Sequence, residues 1–159
     1  MKIKFLASIA LISGAIVANA QGYKDGIEYY KVERYDNARE LLVRNLDNAG
    51  TNKAEAYYYL GMLDIIDKKI DAAEANFNKG FAADPTNPYN IVGLGEIVLM
   101  KGDHKAAEEK FKEARKLVKK DPKVETAIAR AYYDTNAATY AKQIEKCVQQ
   151  ARKYNAKDP

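Results

Sequence analysis

The residues that most often carry covalent or proton-transfer chemistry are scarce in this 159-residue chain, which has one histidine, His104, and one cysteine, Cys147. Catalysis by either side chain needs a partner group that orients or activates it. His104 lies in the polar segment KGDHK, which is typical of a solvated turn. Cys147 has helical spacing to its apolar neighbours, which favours a small buried side chain, with pairing to another chain as the alternative. We therefore predict no catalytic residue, no metal site and no cofactor.

Composition and charge argue against several further classes of function. The chain is 47% hydrophobic and 30% charged, too apolar for a disordered protein and too charged for a membrane bundle. Gly93 and Gly95 fall within a helical pattern rather than in a phosphate-binding loop. The net charge is +4, and removal of Lys2 and Lys4 with the first twenty residues would leave +2. We expect no nucleic-acid partner from so weak a basic balance.

The first twenty residues predict a secretory signal peptide. A short basic start, MKIK, precedes the apolar run FLASIALISGAIVA, and small Ala18 and Ala20 follow it. This order of segments is the one that signal peptidase cleaves. The run is shorter than the roughly 20 residues of a membrane span, although an uncleaved anchor is the alternative. We expect cleavage after Ala20 and export, to the periplasm in a cell with two membranes.

The rest of the chain contains a repeat of 34 residues. Segment 54–87 aligns with segment 88–121, and self-similarity at such a period indicates a solenoid. In each segment two helical patterns are separated by a short polar break, and Pro85 and Pro122 stop the second helix. The residues predicted to pack the repeats together are Leu60, Gly61, Ala73 and Phe77 in one segment and Leu94, Gly95, Ala107 and Phe111 in the next.

Small residues twelve positions apart extend the repeat in both directions. Gly61 and Ala73 allow two helices to approach closely, and the aromatic residue four positions later then fills the space toward the next hairpin. Gly26 and Ala38 repeat the spacing near the start of the array, and Ala129 repeats it near the end. The final copy aligns only after a three-residue shift, which places Val148 at the position of Phe111 and predicts an insertion within DTNAAT, residues 134–139.

This pattern resembles the tetratricopeptide repeat (TPR), and in particular the exported TPR proteins of Bacteroidetes-type bacteria. The family's Leu-Gly pair, small residue, aromatic residue and closing proline correspond to Leu60-Gly61, Ala73, Phe77 and Pro85. Asp64 and Gly80 depart from the pattern, since the family usually has an aromatic residue and Ala there. The resemblance implies an all-α, right-handed solenoid of about four antiparallel helical hairpins, with unit boundaries near 21–53, 54–87, 88–122 and 123–159.

The first helix of each hairpin would line the concave face of such a solenoid. We predict that one stripe of these helices binds a partner, because it is rich in tyrosine and apolar residues. The stripe contains Tyr23, Ile27, Tyr30, Tyr58, Met62, Tyr89, Val92, Glu96, Thr126, Arg130 and Tyr133. Burial inside a tightly curved array is the alternative for Tyr58, Met62 and Tyr133, and we favour a core position for Ile65 and Leu99.

The function predicted from these observations is a non-catalytic exported scaffold that binds a protein or peptide partner. Two alternatives stay open: the array is the N-terminal portion of a larger envelope protein, or it binds glycan through Tyr and Lys. The last helix is expected to expose Ile144, Val148 and Cys147, because no further unit follows them. That exposure would favour self-association or continuation of the protein at the C-terminal end.

Overall fold

The computed structural model describes residues 21–156, and the predicted signal peptide lies outside them. Every regular element among these residues is an α-helix. The helices are α1 over residues 21–31, α2 Tyr35–Asn45, α3 Lys53–Ile66, α4 Ile70–Ala83, α5 Pro88–Met100, α6 His104–Leu117, α7 Pro122–Asn136 and α8 Ala141–Asn155. They pair in sequence into four TPR-like hairpins, which confirms the predicted all-α repeat fold.

The first helices of the second, third and fourth hairpins begin at side-chain caps. Asn52, Asn87 and Asp121 precede α3, α5 and α7, and each accepts a hydrogen bond from a backbone N–H in the first turn. Such a cap satisfies one of the N–H groups that a helix start leaves without a partner. Pro88 and Pro122 occupy the first positions of α5 and α7, where a missing N–H costs nothing. These two prolines therefore begin hairpins. The predicted stop at Pro85 fits, since α4 ends at Ala83 with Asp84 as its C-cap, whereas α6 ends at Leu117, so Pro122 does not stop it.

Phenylalanine rings fill the space between successive hairpins, as the small residues predict. Phe77 is fully buried, and a Cβ atom added to Gly61 or Gly93 would lie within 2.6 Å of its ring. Phe111 takes the same place against Gly95, where an added Cβ would also lie 2.6 Å from the ring. Ala73 and Ala107 are buried in the same clusters as these rings. Leu60 is buried against the first hairpin instead, and Leu94 is only half-buried. Ring and glycine are therefore one packing unit, repeated every 34 residues.

The departure at Asp64 is compensated by an ion pair. The Asp64 side chain is buried, and its Oδ1 atom lies 2.8 Å from Nη1 of Arg39 in α2. Its Oδ2 atom accepts a hydrogen bond of 2.7 Å from Nδ2 of Asn76 in α4. A charge pair across the first and second units thus replaces the aromatic layer expected here.

The departure at Gly80 also has a packing reason. The Asn90 side chain of α5 is fully buried against Gly80, and its Nδ2 atom donates a hydrogen bond of 2.9 Å to the carbonyl oxygen of Ala54. A Cβ atom on residue 80 would lie 2.2 Å from Oδ1 of Asn90. The amide of Asn90 therefore occupies the volume that an alanine methyl group has in the family pattern.

We expect Gly80→Ala to lower the free energy of unfolding by about 1–3 kcal/mol, although Ala is the better helix former. The reason is the clash with the buried amide of Asn90, which has no free space to enter. Urea denaturation of Gly80→Ala, Asn90→Ala and the double variant measures this coupling. A Gly80→Ala variant that is more stable than the wild type would show that the packing argument is wrong.

The fourth hairpin contains the expected irregularity. Helix α7 has 15 residues where α5 has 13, and a longer turn precedes α8. This lengthening accounts for the three-residue shift. Counted from the start of each helix, Val148 corresponds to Phe111, but in α8 the neighbouring Cys147 is the buried residue and Val148 is 36% exposed. The burial of Cys147 confirms the small buried side chain that its helical spacing favours. Its expected exposure on the last helix is wrong, because the inward face of α8 follows the spacing of Ile144, Cys147 and Ala151, and Ile144 is itself only partly exposed.

Candidate functional site

A cleft of about 480 Å³ lies on the face formed by the first helices of the hairpins. Its walls come from α1, α3, the start of α5, and α7, so residues distant in sequence meet there. The residues that line it are Tyr30, Lys31, Glu55, Tyr58, Tyr59, Asn87, Tyr89, Lys123, Thr126, Ala127 and Arg130. Below, "the cleft" means this set of residues.

Four tyrosine rings form a continuous aromatic wall of the cleft. The ring centre of Tyr59 lies 5.1 Å from that of Tyr30 and 5.3 Å from that of Tyr58. Tyr58 continues the contact to Tyr89, at 5.4 Å. Tilted and edge-to-face contacts at such separations are favourable between aromatic rings, so the wall is held by its own packing.

Arg130 of α7 connects this wall to the opposite end of the array. Its Nη1 atom donates a hydrogen bond of 3.3 Å to the Tyr30 hydroxyl, and its Nη2 atom donates to the Tyr58 hydroxyl. Nη2 also lies 3.2 Å from Sδ of Met62. One guanidinium group of the fourth hairpin therefore contacts side chains of the first and second, and it determines how the phenol groups are placed in the cleft.

Beneath the cleft a carboxyl group is buried next to this cation. Glu96 of α5 is 1% exposed, and its Oε1 atom has no hydrogen-bond partner among the described residues. Burial raises the pKa of Glu96 to about 8, although the attraction of Arg130 acts in the opposite direction. Burial also raises the pKa of Tyr30 and of Tyr58 to about 12. At neutral pH the Glu96 carboxyl is therefore mainly protonated, and both phenol groups are neutral.

This burial predicts how stability depends on pH. An unfolded Glu96 would release its proton near its ordinary pKa of 4.5, whereas the folded one keeps it to about pH 8. Between these values the folded state binds more protons, so wild-type stability should fall as pH rises. We expect Glu96→Gln to be the more stable protein at pH 8 by at least about 1.4 kcal/mol, the equivalent of one pKa unit. Urea denaturation at pH 5 and pH 8 should show a smaller pH difference for Glu96→Gln than for the wild type.

The structure divides the predicted binding stripe into three groups. Tyr30, Tyr58, Tyr89 and Arg130 line the cleft, as does Thr126, but Tyr58 is only 6% exposed and is also part of the core. Tyr23, Ile27, Met62, Val92 and Glu96 are buried, so we correct the premise that their side chains are free on the concave surface. Tyr133 is 63% exposed but does not line the cleft. Ile65 and Leu99 are buried, which confirms their predicted core position. Partner binding itself stays a prediction for all of these residues.

The turns that reach the cleft differ from helix to helix: in α1 only the last turn, with Tyr30 and Lys31, lines it, so the buried Tyr23 and Ile27 lie N-terminal to it. In α7 the residues that line the cleft are 123, 126, 127 and 130, and in α3 they are 55, 58 and 59. The predicted stripe continued instead to Ile65 and Tyr133, toward the C-terminal ends of the helices, where tight packing closes the surface in α3.

Outside the cleft, the described residues offer little that suggests chemistry. His104 is exposed at the start of α6, and its Nδ1 atom lies 2.6 Å from the Tyr140 hydroxyl. Residues 21–156 contain no cluster of three or more His, Cys, Asp or Glu side chains with the geometry to hold a metal ion. None of the helices in this range has both the length and the apolar character needed to cross a membrane.

Known structures provide a fold match for the chain. A crystal structure of MamA superposes with a TM-score of 0.53 at 20% sequence identity, covering 99% of this chain and 96% of that one. The MamA MSR-1 structure gives 0.49 at 24% identity, covering 96% and 92%, and PilF of Pseudomonas aeruginosa gives 0.37 at 17%, covering 87% and 77%. No protein-family model matches the sequence, and no curated protein matches it. At these identities the likeness to the first MamA structure shows the fold alone: the chain has the helical-repeat fold of that TPR-like protein.

Proposed function

We propose that this chain is a non-catalytic scaffold that binds an extended segment of a partner protein in the cleft. The observation that carries the proposal is the cleft itself, because its aromatic wall faces polar and charged side chains of another hairpin. Tyrosine supplies contact area at low entropic cost and keeps a hydroxyl group for hydrogen bonds, so it is enriched where proteins bind one another. Helical-repeat folds use their concave faces in this way.

The size of the cleft favours an extended segment over a helix. A volume of about 480 Å³ lies within the range of roughly 300–1,000 Å³ that is usual for pockets holding small ligands. A helix with its side chains is about 10–12 Å wide and would need a longer open groove. A few residues of extended chain fit such a volume, with side chains alternating between the tyrosine wall and the polar side.

Blocking the cleft tests this function. Thr126 is exposed at the cleft and makes one side-chain hydrogen bond, to the carbonyl oxygen of Pro122 in its own helix. We expect Thr126→Trp to fill the cleft and to reduce partner capture at least about tenfold, with no core contact removed. The assay is affinity capture of envelope proteins with the purified chain as bait, quantified by mass spectrometry.

The matched control for this variant is Lys105→Trp, which adds the same side chain at an exposed position of α6. Circular dichroism should show both variants folded, and only Thr126→Trp should lose the captured partner. Equal capture by the two variants would contradict a binding role for the cleft. Retention on cell-wall polysaccharide in place of any protein would instead favour the glycan-binding alternative.

We further propose that the scaffold is exported, with cleavage after Ala20 and a periplasmic destination in a cell with two membranes. The order of basic, apolar and small residues at the start of the chain supports this proposal. The mass of the protein recovered from expressing cells tests it, since cleavage leaves Gln21 as the first residue. A product that keeps Met1 would contradict it.

A further inference from the structure

No carboxylate among the described residues accepts a hydrogen bond from the guanidinium group of Arg130. The acceptors on its two Nη atoms are the hydroxyl groups of Tyr30 and Tyr58 and the sulfur atom of Met62. Its Nε atom is buried and has no hydrogen-bond partner. The nearest carboxylate oxygen, Oδ2 of Asp134, lies 3.9 Å from Nε, beyond hydrogen-bond distance. A half-buried cation held mainly by neutral groups is an unusual arrangement, because such charges are normally paired.

The helices around Arg130 supply one nearby carboxylate, that of Asp134, which makes no hydrogen bond to the guanidinium group. The phenol groups of α1 and α3 are neutral, and the buried Glu96 carboxyl of α5 is mainly protonated because burial raises its pKa to about 8. In α7 itself, burial raises the pKa of Asp134, while the attraction of Arg130 lowers it. Asp134 is therefore the one carboxylate near the guanidinium within the described residues, and it lies to the side of the group.

The charges on the rim of the cleft have the same sign as Arg130. Lys31 of α1 and Lys123 of α7 line the cleft, and Glu55 of α3 is the only carboxylate among the lining residues. The Lys31 ammonium group bonds Glu28 on its own helix, 2.7 Å away. Because Lys31 is paired in this way, Arg130 and Lys123 against Glu55 leave a positive balance among the lining residues, and a positive potential selects and steers ligands of the opposite charge.

We propose that the segment bound in the cleft carries an aspartate or glutamate side chain whose carboxylate binds the guanidinium group of Arg130. This inference rests on the proposed function and specifies the chemistry of the partner. Because Nε is buried, the carboxylate would approach the Nη atoms at the end of the guanidinium group, and charge-assisted hydrogen bonds there make Arg130 the specificity-determining residue of the cleft. The tyrosine wall then packs against the residues on either side of the acidic one.

A random peptide library selected on the full chain, as recovered from expressing cells, tests this inference. Selected peptides should be enriched in Asp or Glu at one position, and they should fail to bind Thr126→Trp. Changing that Glu to Gln in a synthetic peptide should weaken its binding to the wild-type chain about tenfold or more, measured by calorimetry. The same change should matter little for binding to Arg130→Gln. If Arg130→Gln does not fold, the comparison of the Glu and Gln peptides on the wild-type protein still tests the inference.

The outcomes separate this inference from the proposed function. Peptides that need an open cleft but bind equally with Glu or Gln would overturn the inference and leave the function intact. Peptides that bind Thr126→Trp as well as wild type, or a selection that yields no binder, would overturn both.

Binding of the acidic peptide should also weaken above about pH 8, where Glu96 ionises and becomes an internal counter-ion. Glu96→Gln should remove this pH dependence of peptide binding. If the variant and the wild type show the same pH profile, Glu96 is not the internal counter-ion.

Discussion

Phe77→Ala should lower the free energy of unfolding by about 3–5 kcal/mol, the range for removing a large aromatic side chain from a rigid core. The ring is fully buried between two hairpins and faces Gly61 on one side and Gly93 on the other. Glycine has no side chain that can move into the space, and the helix backbones that carry these glycines are held by their own hydrogen bonds. The cavity should therefore stay open, which is the condition for the largest loss. Urea denaturation followed by circular dichroism measures it.

Tyr133→Ala is the matched control, because it removes an aromatic ring of similar size that is 63% exposed. This change should alter stability by no more than about 0.5 kcal/mol. A Phe77→Ala variant within about 1 kcal/mol of the wild type would contradict the ring-and-glycine packing unit. It would mean that contacts elsewhere hold successive hairpins together.

The second large effect is expected from Arg115→Met. The Nε and Nη2 atoms of Arg115 in α6 donate to the two carboxylate oxygens of Glu125 in α7, both at 2.9 Å. The Glu125 side chain is 4% exposed, so loss of Arg115 leaves a buried carboxylate without its cation. We expect a loss of about 3 kcal/mol, the lower end of the range for broken buried pairs, because the Arg115 side chain is itself 34% exposed. Thermal and urea unfolding both measure it.

The control for this pair is Lys110→Met, which removes an ion pair to Glu113 of 3.0 Å that is exposed on the same helix. Exposed pairs contribute little, so this change should cost at most about 1 kcal/mol. Replacing both Arg115 and Glu125 by apolar residues should restore much of the lost stability, since no buried charge is then left unpaired. Equal losses for Arg115→Met and Lys110→Met would show that the buried pair has no special role.

The fold was predictable because the residues that pack the hairpins together recur at a fixed spacing in the sequence. Leu60-Gly61 and Phe77 recur 34 residues later, and recurrence at one fixed period indicates a repeat. Small residues at these positions also allow the close helix contacts that the repeat needs. The compensations were not predictable. Arg39 reaches Asp64 from another hairpin, and Asn90 fills the space over Gly80, and both contacts depend on side chains that the repeat period does not relate.

The candidate site was predictable only in part. Tyr30, Tyr58, Tyr89 and Arg130 were expected on the concave face because each lies on a first helix, and all four line the cleft. The contact of Arg130 with Tyr30, 100 residues away, depends on the curvature of the whole array, which no local pattern specifies. For the same reason the sequence did not distinguish the accessible turns of each helix from the turns that the curvature buries.

Site-specific photo-cross-linking in cells that naturally produce the chain tests directly whether the cleft is the binding surface. A photoreactive phenylalanine analogue replaces Thr126 in the cleft or, as the control, Lys105 on exposed α6. We expect a discrete cross-linked partner from position 126, carrying an acidic residue at the linked segment, and none from position 105. Cross-links to the same partner from position 105 alone, or equally from both positions, would contradict it.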